Sequence, residues 1–196
     1  MRFKVIPILL LVLIFSCKDK PRSMEVTDIQ EPNYKELGMA YAKGTQAVLG
    51  KNLMGAIQNK GVAAAVTFCN ERAYPLTDSM ATQYNVKIRR VSDKPRNPDN
   101  RANIEELTFI KAFKEKLAAG DSINPIVKEE QDKVNFYYPI ITSNLCLNCH
   151  GIPEQTIAPD VIAQLSHLYP QDNAMGYDVD EVRGLWSIVF EREASE

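Results

Sequence analysis

Apolar and polar residues along this chain follow different spacings, and each spacing marks a different kind of element. Val5 to Phe15 is an almost unbroken apolar run behind Arg2 and Lys4. From Tyr34 to about Asn59, Leu37, Tyr41, Val48 and Ala56 recur at roughly helical spacing among strong helix formers, which predicts a helix. Gly44, Gly50 and Gly55 weaken that helix or mark the close approach of another element. Gly61 breaks it, and Val62 to Tyr74 forms a second helix. Val62, Ala65, Val66 and Cys69 share one face of this helix with Ala73 a turn further on, so Cys69 points inward. Pro75 ends the second helix, and Asp78 to Tyr84 gives a shorter third.

Beyond Tyr84 the period changes. Val86 to Val91 reads as a strand, and Ser92 to Arg101, with Pro95 and Asn97-Pro98, as a loop. Ile104 to Ala119 is an amphipathic helix stopped by Gly120. Ile126 to Glu129 and Val134 to Ile141 are two β-like runs around Glu130-Gln131-Asp132-Lys133, a hairpin. Pro159 to Leu168 is a helix, Gln171 to Arg183 a loop, and Gly184 to Phe190 a strongly apolar final strand. Helices, strand, helix, hairpin, helix and strand in that order predict an α+β fold, with a small antiparallel sheet and helices to one side.

The apolar run at the start is too short to span a bilayer, which takes about 20 residues. It fits a secretory signal. It ends Leu13-Ile14-Phe15-Ser16-Cys17, similar to a bacterial lipobox, so residues 1–16 are expected to be removed and Cys17 acylated. The alternatives are an ordinary signal peptide that happens to contain a Cys, or an uncleaved anchor. Residues 17–32 read as a polar, Pro-punctuated tether, and 33–196 as one domain. A lipid-anchored protein facing the periplasm of a bacterial cell envelope is the expectation. The formal net charge is −2 and there is no basic patch suited to nucleic acid.

Cysteine usage then supplies the chemistry. Residues 146–150 read Cys146-Leu147-Asn148-Cys149-His150, a C-x-x-C-H. Two thiols at this spacing can each add to a vinyl group of one haem, with the adjoining histidine as an axial ligand of the iron. The chain holds 4 Cys and 2 His, so composition alone would produce the motif about once in a thousand such chains. Zinc would need two more ligands, and the only other histidine is His167. A thioredoxin-like pair would open a long helix, whereas Gly151 and Pro153 leave room for a single turn after the motif. A disulfide between Cys146 and Cys149 closes too short a loop to stabilise much. Export fits haem c, which is joined to protein outside the cytoplasm.

One thiol is then left over. With Cys17 assigned to lipid and Cys146 and Cys149 to haem, Cys69 is either a small buried hydrophobe or a second axial ligand. Met39, Met54, Met80, Met175 and His167 are the other candidates for that position. Methionines at helical spacing are more often core packing, and His167 reads as a surface or capping residue. Arg89, Arg90 and Arg96 are candidates to bind haem propionates, or are simply solvated surface residues.

From about Leu37 to Phe190 the chain resembles the single-haem c-type cytochrome domain with a PAS-like fold, long described only as a domain of unknown function. The Ala-rich helix ending in Phe68-Cys69, the segment Arg90-Val91-Ser92-Asp93-Lys94-Pro95-Arg96-Asn97-Pro98, the C-x-x-C-H, and Gly176-Tyr177 leading to Arg183-Gly184 carry the resemblance. It implies a PAS-like antiparallel sheet with flanking helices and a long N-terminal helix, holding one covalent haem c. It also implies six-coordinate iron ligated by His150 and Cys69. Such a domain differs from the small all-helical c-type cytochromes, whose haem motif lies near the N-terminus.

Three roles compete. With both axial positions filled, the iron cycles valence without binding substrate, which favours a membrane-tethered electron carrier with a separate redox partner protein. A haem-based redox or gas sensor is the alternative, and it would have to signal through another protein, because this chain carries no output module. A peroxidase-like enzyme needs an open iron site and is disfavoured. Fold analogy does not separate carrier from sensor.

Overall fold

The computed structural model describes residues 32–192; the signal, most of the tether and Cys17 lie outside the described residues. The element order is α1 (Tyr34–Tyr84), β1 (Lys87–Val91), a short 3-10 turn (Pro98–Asn100), α2 (Ile104–Ala118), β2 (Ile126–Glu129), β3 (Lys133–Ile141), α3 (Asn144–His150), α4 (Pro159–Leu168) and β4 (Val182–Glu191). The expected α+β architecture with a long N-terminal helical run is present.

Helix α1 is folded back on itself. At Gly61 the backbone takes φ 82° and ψ 172°, a conformation open essentially only to glycine, and the helix turns there. A straight helix of 51 residues would separate Tyr41 from Tyr84 by about 65 Å. Their rings instead stack, with centroids 4.1 Å apart and 5° between planes. The two arms therefore run antiparallel as a helical hairpin. Pro75 does not end the second arm, contrary to the sequence reading, and the second and third expected helices are one. Proline removes one N–H and frees the carbonyl four residues earlier. Pro75 and Glu71 are both exposed, so that carbonyl is open to water and the helix continues to the left-handed cap at Asn85.

The four strands form one antiparallel sheet in the order β1-β4-β3-β2. Register pairs Ile88 with Ile188, Arg90 with Trp186, and Phe136 with Ile188. Side chains alternate across the sheet, so Ile88, Val134, Phe136, Trp186, Ile188 and Phe190 meet the α1 hairpin through Ala42 and Met80. Gly38 lets the first arm seat directly on Phe136, because a Cβ there would overlap the ring. The other face, with Val91, Tyr137 and Leu185, packs on Ile110 and Phe113 of α2. Helices thus cover both faces rather than one. The physical reason is that β3 and β4 bury successive residues, not alternate ones, and an unbroken apolar strand needs a layer on each side.

Helix α2 begins with a reciprocal cap. The Asn103 amide donates to Glu106 Oε2 at 2.9 Å, and the Glu106 amide donates to Asn103 Oδ1 at 2.8 Å. A third cluster, Val66 from α1 with Ile157, Val161 and Leu165 on and before α4, holds α4 against the second arm of α1. Among the described residues no helix is long and apolar enough to cross a membrane.

Candidate functional site

The C-x-x-C-H motif lies on a helix of its own, which the sequence reading did not foresee. Asn144–His150 is α3, seven residues long and preceded by Ser143. Cys146 and Cys149 sit three residues apart and so share a face. Both are free thiols, as is Cys69, and all three are partly buried. The Ser143 amide donates to Cys146 Sγ at 3.3 Å, fixing that thiol at the helix start. Cys149 packs beside Val66, Val161 and Met175, and burial pushes its thiol up to about 11.

The end of α3 is gripped by the loop before β4. The Gly151 amide donates to Leu147 O at 3.0 Å, the Tyr177 amide to His150 O at 2.9 Å, and the Gly176 amide to Gly151 O at 2.8 Å. Gly151 has no room for a side chain: a Cβ would overlap Thr156 Oγ1 and come within 2.7 Å of Leu147 O. His150 Nδ1 lies 2.8 Å from Ala174 O. A carbonyl only accepts, so Nδ1 carries the proton and Nε2 keeps its lone pair. Desolvation by burial, then the charges of Arg183 and Arg96, hold the histidine's pKa well below the ordinary value.

Cys69 stands on the second arm of α1, close enough to Cys149 to raise that thiol's pKa through its charge. Burial raises its pKa, while Arg90 and then Arg96 oppose that rise. The expectation that Cys69 faces inward is met, and the topology brings it to the same region as the motif.

The three arginines singled out from the sequence separate. Arg89 and Arg90 are neighbours on β1 and so face opposite sides of the sheet. Arg89 is exposed on the α2 side, 3.6 Å from Glu106 Oε1, and stands away from the cysteines. Arg90 lies on the α1 side near Cys69, Tyr74 and Tyr169, with its pKa lowered by desolvation and no ion pair or hydrogen bond within the described residues. Arg96 is a clamp: Nε donates to Asp172 Oδ2 at 2.9 Å, and Nη2 donates to Cys149 O at 2.5 Å and Ala174 O at 3.3 Å.

Arg183 was quoted in the sequence resemblance without a role, yet it stands at the histidine. Its Nε is 3.3 Å from His150 Nδ1, and its Nη1 donates to Ser92 Oγ at 3.0 Å. The signal for it was a cation near the start of a largely apolar strand. Met39 and Met80 are packed into the sheet core, Met175 beside Cys149, and His167 is exposed on α4. Among the described residues no group of three or more His, Cys, Asp and Glu side chains is assembled that could hold a metal ion.

Fold and site define an α+β domain in which a helix bearing two thiols and a histidine is held against a bent helical hairpin and by the loops that follow β1 and precede β4. The chain belongs to the Tll0287-like family, whose model matches residues 20–190. The crystal structure of the cyanobacterial heme-protein Tll0287 has a similar fold, with a TM-score of 0.62 at 17% sequence identity. That similarity covers 84% of this chain and 100% of the other. Among curated proteins no relative matches.

Proposed function

We propose that this protein is an exported, membrane-tethered c-type cytochrome that carries one covalent haem and transfers electrons to a redox partner protein. The observation that carries the reading is the state of His150. His150 stands on the same short helix as two unbonded thiols, and its Nδ1–H is committed to Ala174 O, which leaves the Nε2 lone pair for iron. Cys146 and Cys149 would hold the haem through two thioethers, each formed as a sulfur–carbon bond to a vinyl carbon with the thiol hydrogen going to the other vinyl carbon. The description of Tll0287 as a heme-protein supports the same chemistry.

Cys69 would hold the iron together with His150, as a thiolate. Its pKa is raised by burial, so coordination must displace its proton. Arg90, without a partner of its own, is the cation for a propionate at this end of the site. When bound, the haem supplies a one-electron ferric–ferrous couple. The chain's own residues fix the histidine, anchor the thioethers and close both axial positions. Cys17 tethers the domain to a membrane through its lipid.

The test is expression of the full chain with haem-attachment machinery, followed by denaturing electrophoresis. Wild type should keep its colour in the gel, and Cys146→Ser with Cys149→Ser should lose it. Cys69→Ala should open the iron and admit carbon monoxide to the ferrous form, while wild type excludes it. Loss of haem from denatured wild type would end the cytochrome reading; rapid carbon monoxide binding by wild type would favour a gas sensor instead.

A further inference from the structure

Histidines that ligate metals pass their outer N–H to a carboxylate, a backbone carbonyl or water, and an anionic acceptor raises the basicity of the ring. Behind His150 the acceptor is a carbonyl and the neighbouring charged groups are the cations Arg183 and Arg96. The histidine's Nδ1–H donates to a neutral acceptor, Ala174 O, at 2.8 Å, and that carbonyl is already shared with Arg96 Nη2 at 3.3 Å. The Nε–H of Arg183 stands 3.3 Å from the same Nδ1. Because Nδ1 bears its own hydrogen, this is the close approach of a cation rather than a second hydrogen bond.

Charge accounting singles out Arg183. Arg96 is neutralised by Asp172, whose Oδ2 lies 2.9 Å from its Nε. Asp93, next to Ser92, is taken by Lys114 at 2.6 Å. Arg183 has no carboxylate within ion-pair distance among the described residues. Its Nη1 donates to Ser92 Oγ at 3.0 Å and Lys94 O at 3.5 Å, and its guanidinium carbon lies 5.6 Å from the Tyr177 ring centroid. Guanidinium stays protonated in proteins. One uncompensated positive charge is therefore fixed beside the imidazole.

We propose that Arg183 is a positioning residue for the iron-facing histidine, a fixed cation behind the ring that raises the midpoint potential of the haem. The inference rests on the cytochrome reading above. A nearby fixed cation favours the less positive, ferrous state, and a ring whose Nδ1–H goes to a neutral carbonyl rather than a carboxylate gives less electron density to the metal. The Cys69 thiolate pulls the potential down, and Arg183 limits that fall.

The experiment compares wild type, Arg183→Gln and Arg183→Lys, each with covalent haem confirmed by gel colour, in redox titrations against one-electron mediator dyes. Arg183→Gln should shift the equilibrium with a dye about tenfold toward ferric haem, about 59 mV negative for one electron. Arg183→Lys keeps the charge and should stay near wild type. An independent reading on wild type is a retained proton on His150 Nδ1 in the nitrogen-15 NMR spectrum of the ferrous low-spin protein, which holds even if the glutamine variant does not fold. Equal potentials in wild type and Arg183→Gln, equal shifts in both variants, or an unprotonated Nδ1 would overturn the proposal. A wild-type chain that takes up no haem defeats the cytochrome reading instead, so the two failures are distinct.

Discussion

His150 is where burial, charge and hydrogen bonding meet, and its protonation should govern the acid stability of the haem-free chain. Burial first, then Arg183 and Arg96, depress its pKa in the folded protein, with the Ala174 bond pulling weakly the other way. A base whose pKa is depressed on folding takes up a proton more readily when unfolded. Its stabilising effect is therefore present above the unfolded value of about 6.5 and is lost as pH falls below it. Denaturant midpoints of the Cys146→Ser, Cys149→Ser chain should decline below about pH 6.5. Adding His150→Gln should flatten that slope, and a slope that survives the substitution would refute the account. The residue types at the site were legible from spacing alone: Cys146, Cys149 and His150 announce themselves within five positions. Arg183 was not, because its contact with His150 joins positions far apart in sequence.

At the scale of elements, α1 shows glycine acting in two opposite ways. Gly61 has positive φ and an extended ψ, so Gly61→Ala should cost about 1–3 kcal/mol by straining the turn between the arms. Gly55 is helical, and a Cβ there meets nothing within 4 Å. Gly55→Ala should accordingly stabilise by about 0.5–1 kcal/mol, through the backbone freedom removed from the unfolded chain. Urea unfolding of the two variants, monitored by helical circular dichroism, should move in opposite directions from wild type. The break at Gly61 could be read from the sequence, and so could the boundaries of α2, α4 and the β2–β3 hairpin to within about two residues. Pro75 misled, because local rules register the lost hydrogen bond but not the solvent that satisfies the freed carbonyl. Helix α3 was missed, because its apolar and polar residues have no amphipathic period over so short a run.

For the whole molecule, the lipid anchoring proposed at Cys17 is tested by where the full chain fractionates. Cys17→Ala in the full chain should move the protein from the membrane fraction to the soluble or unprocessed fraction, with haem content unchanged. Mass spectrometry of the wild-type N-terminus should find acylated Cys17; an unmodified N-terminus beyond residue 17 would refute the anchor. The sequence by itself determined most of the elements and brought Cys146, Cys149 and His150 forward as one motif, because helix and strand periods, glycine breaks and the C-x-x-C-H spacing are local properties. Tertiary structure alone decided that the sheet is covered on both faces and that α1 doubles back far enough to carry Cys69 to the motif. It also decided which arginine faces which side: Arg89 goes to Glu106, Arg90 to Cys69, Arg96 to Asp172 and Arg183 to His150. Those pairings join α1, α2, α3, β1, β4 and the loops that carry Arg96 and Asp172, and no local spacing encodes them; they follow from strand register and from which helix lies on which face.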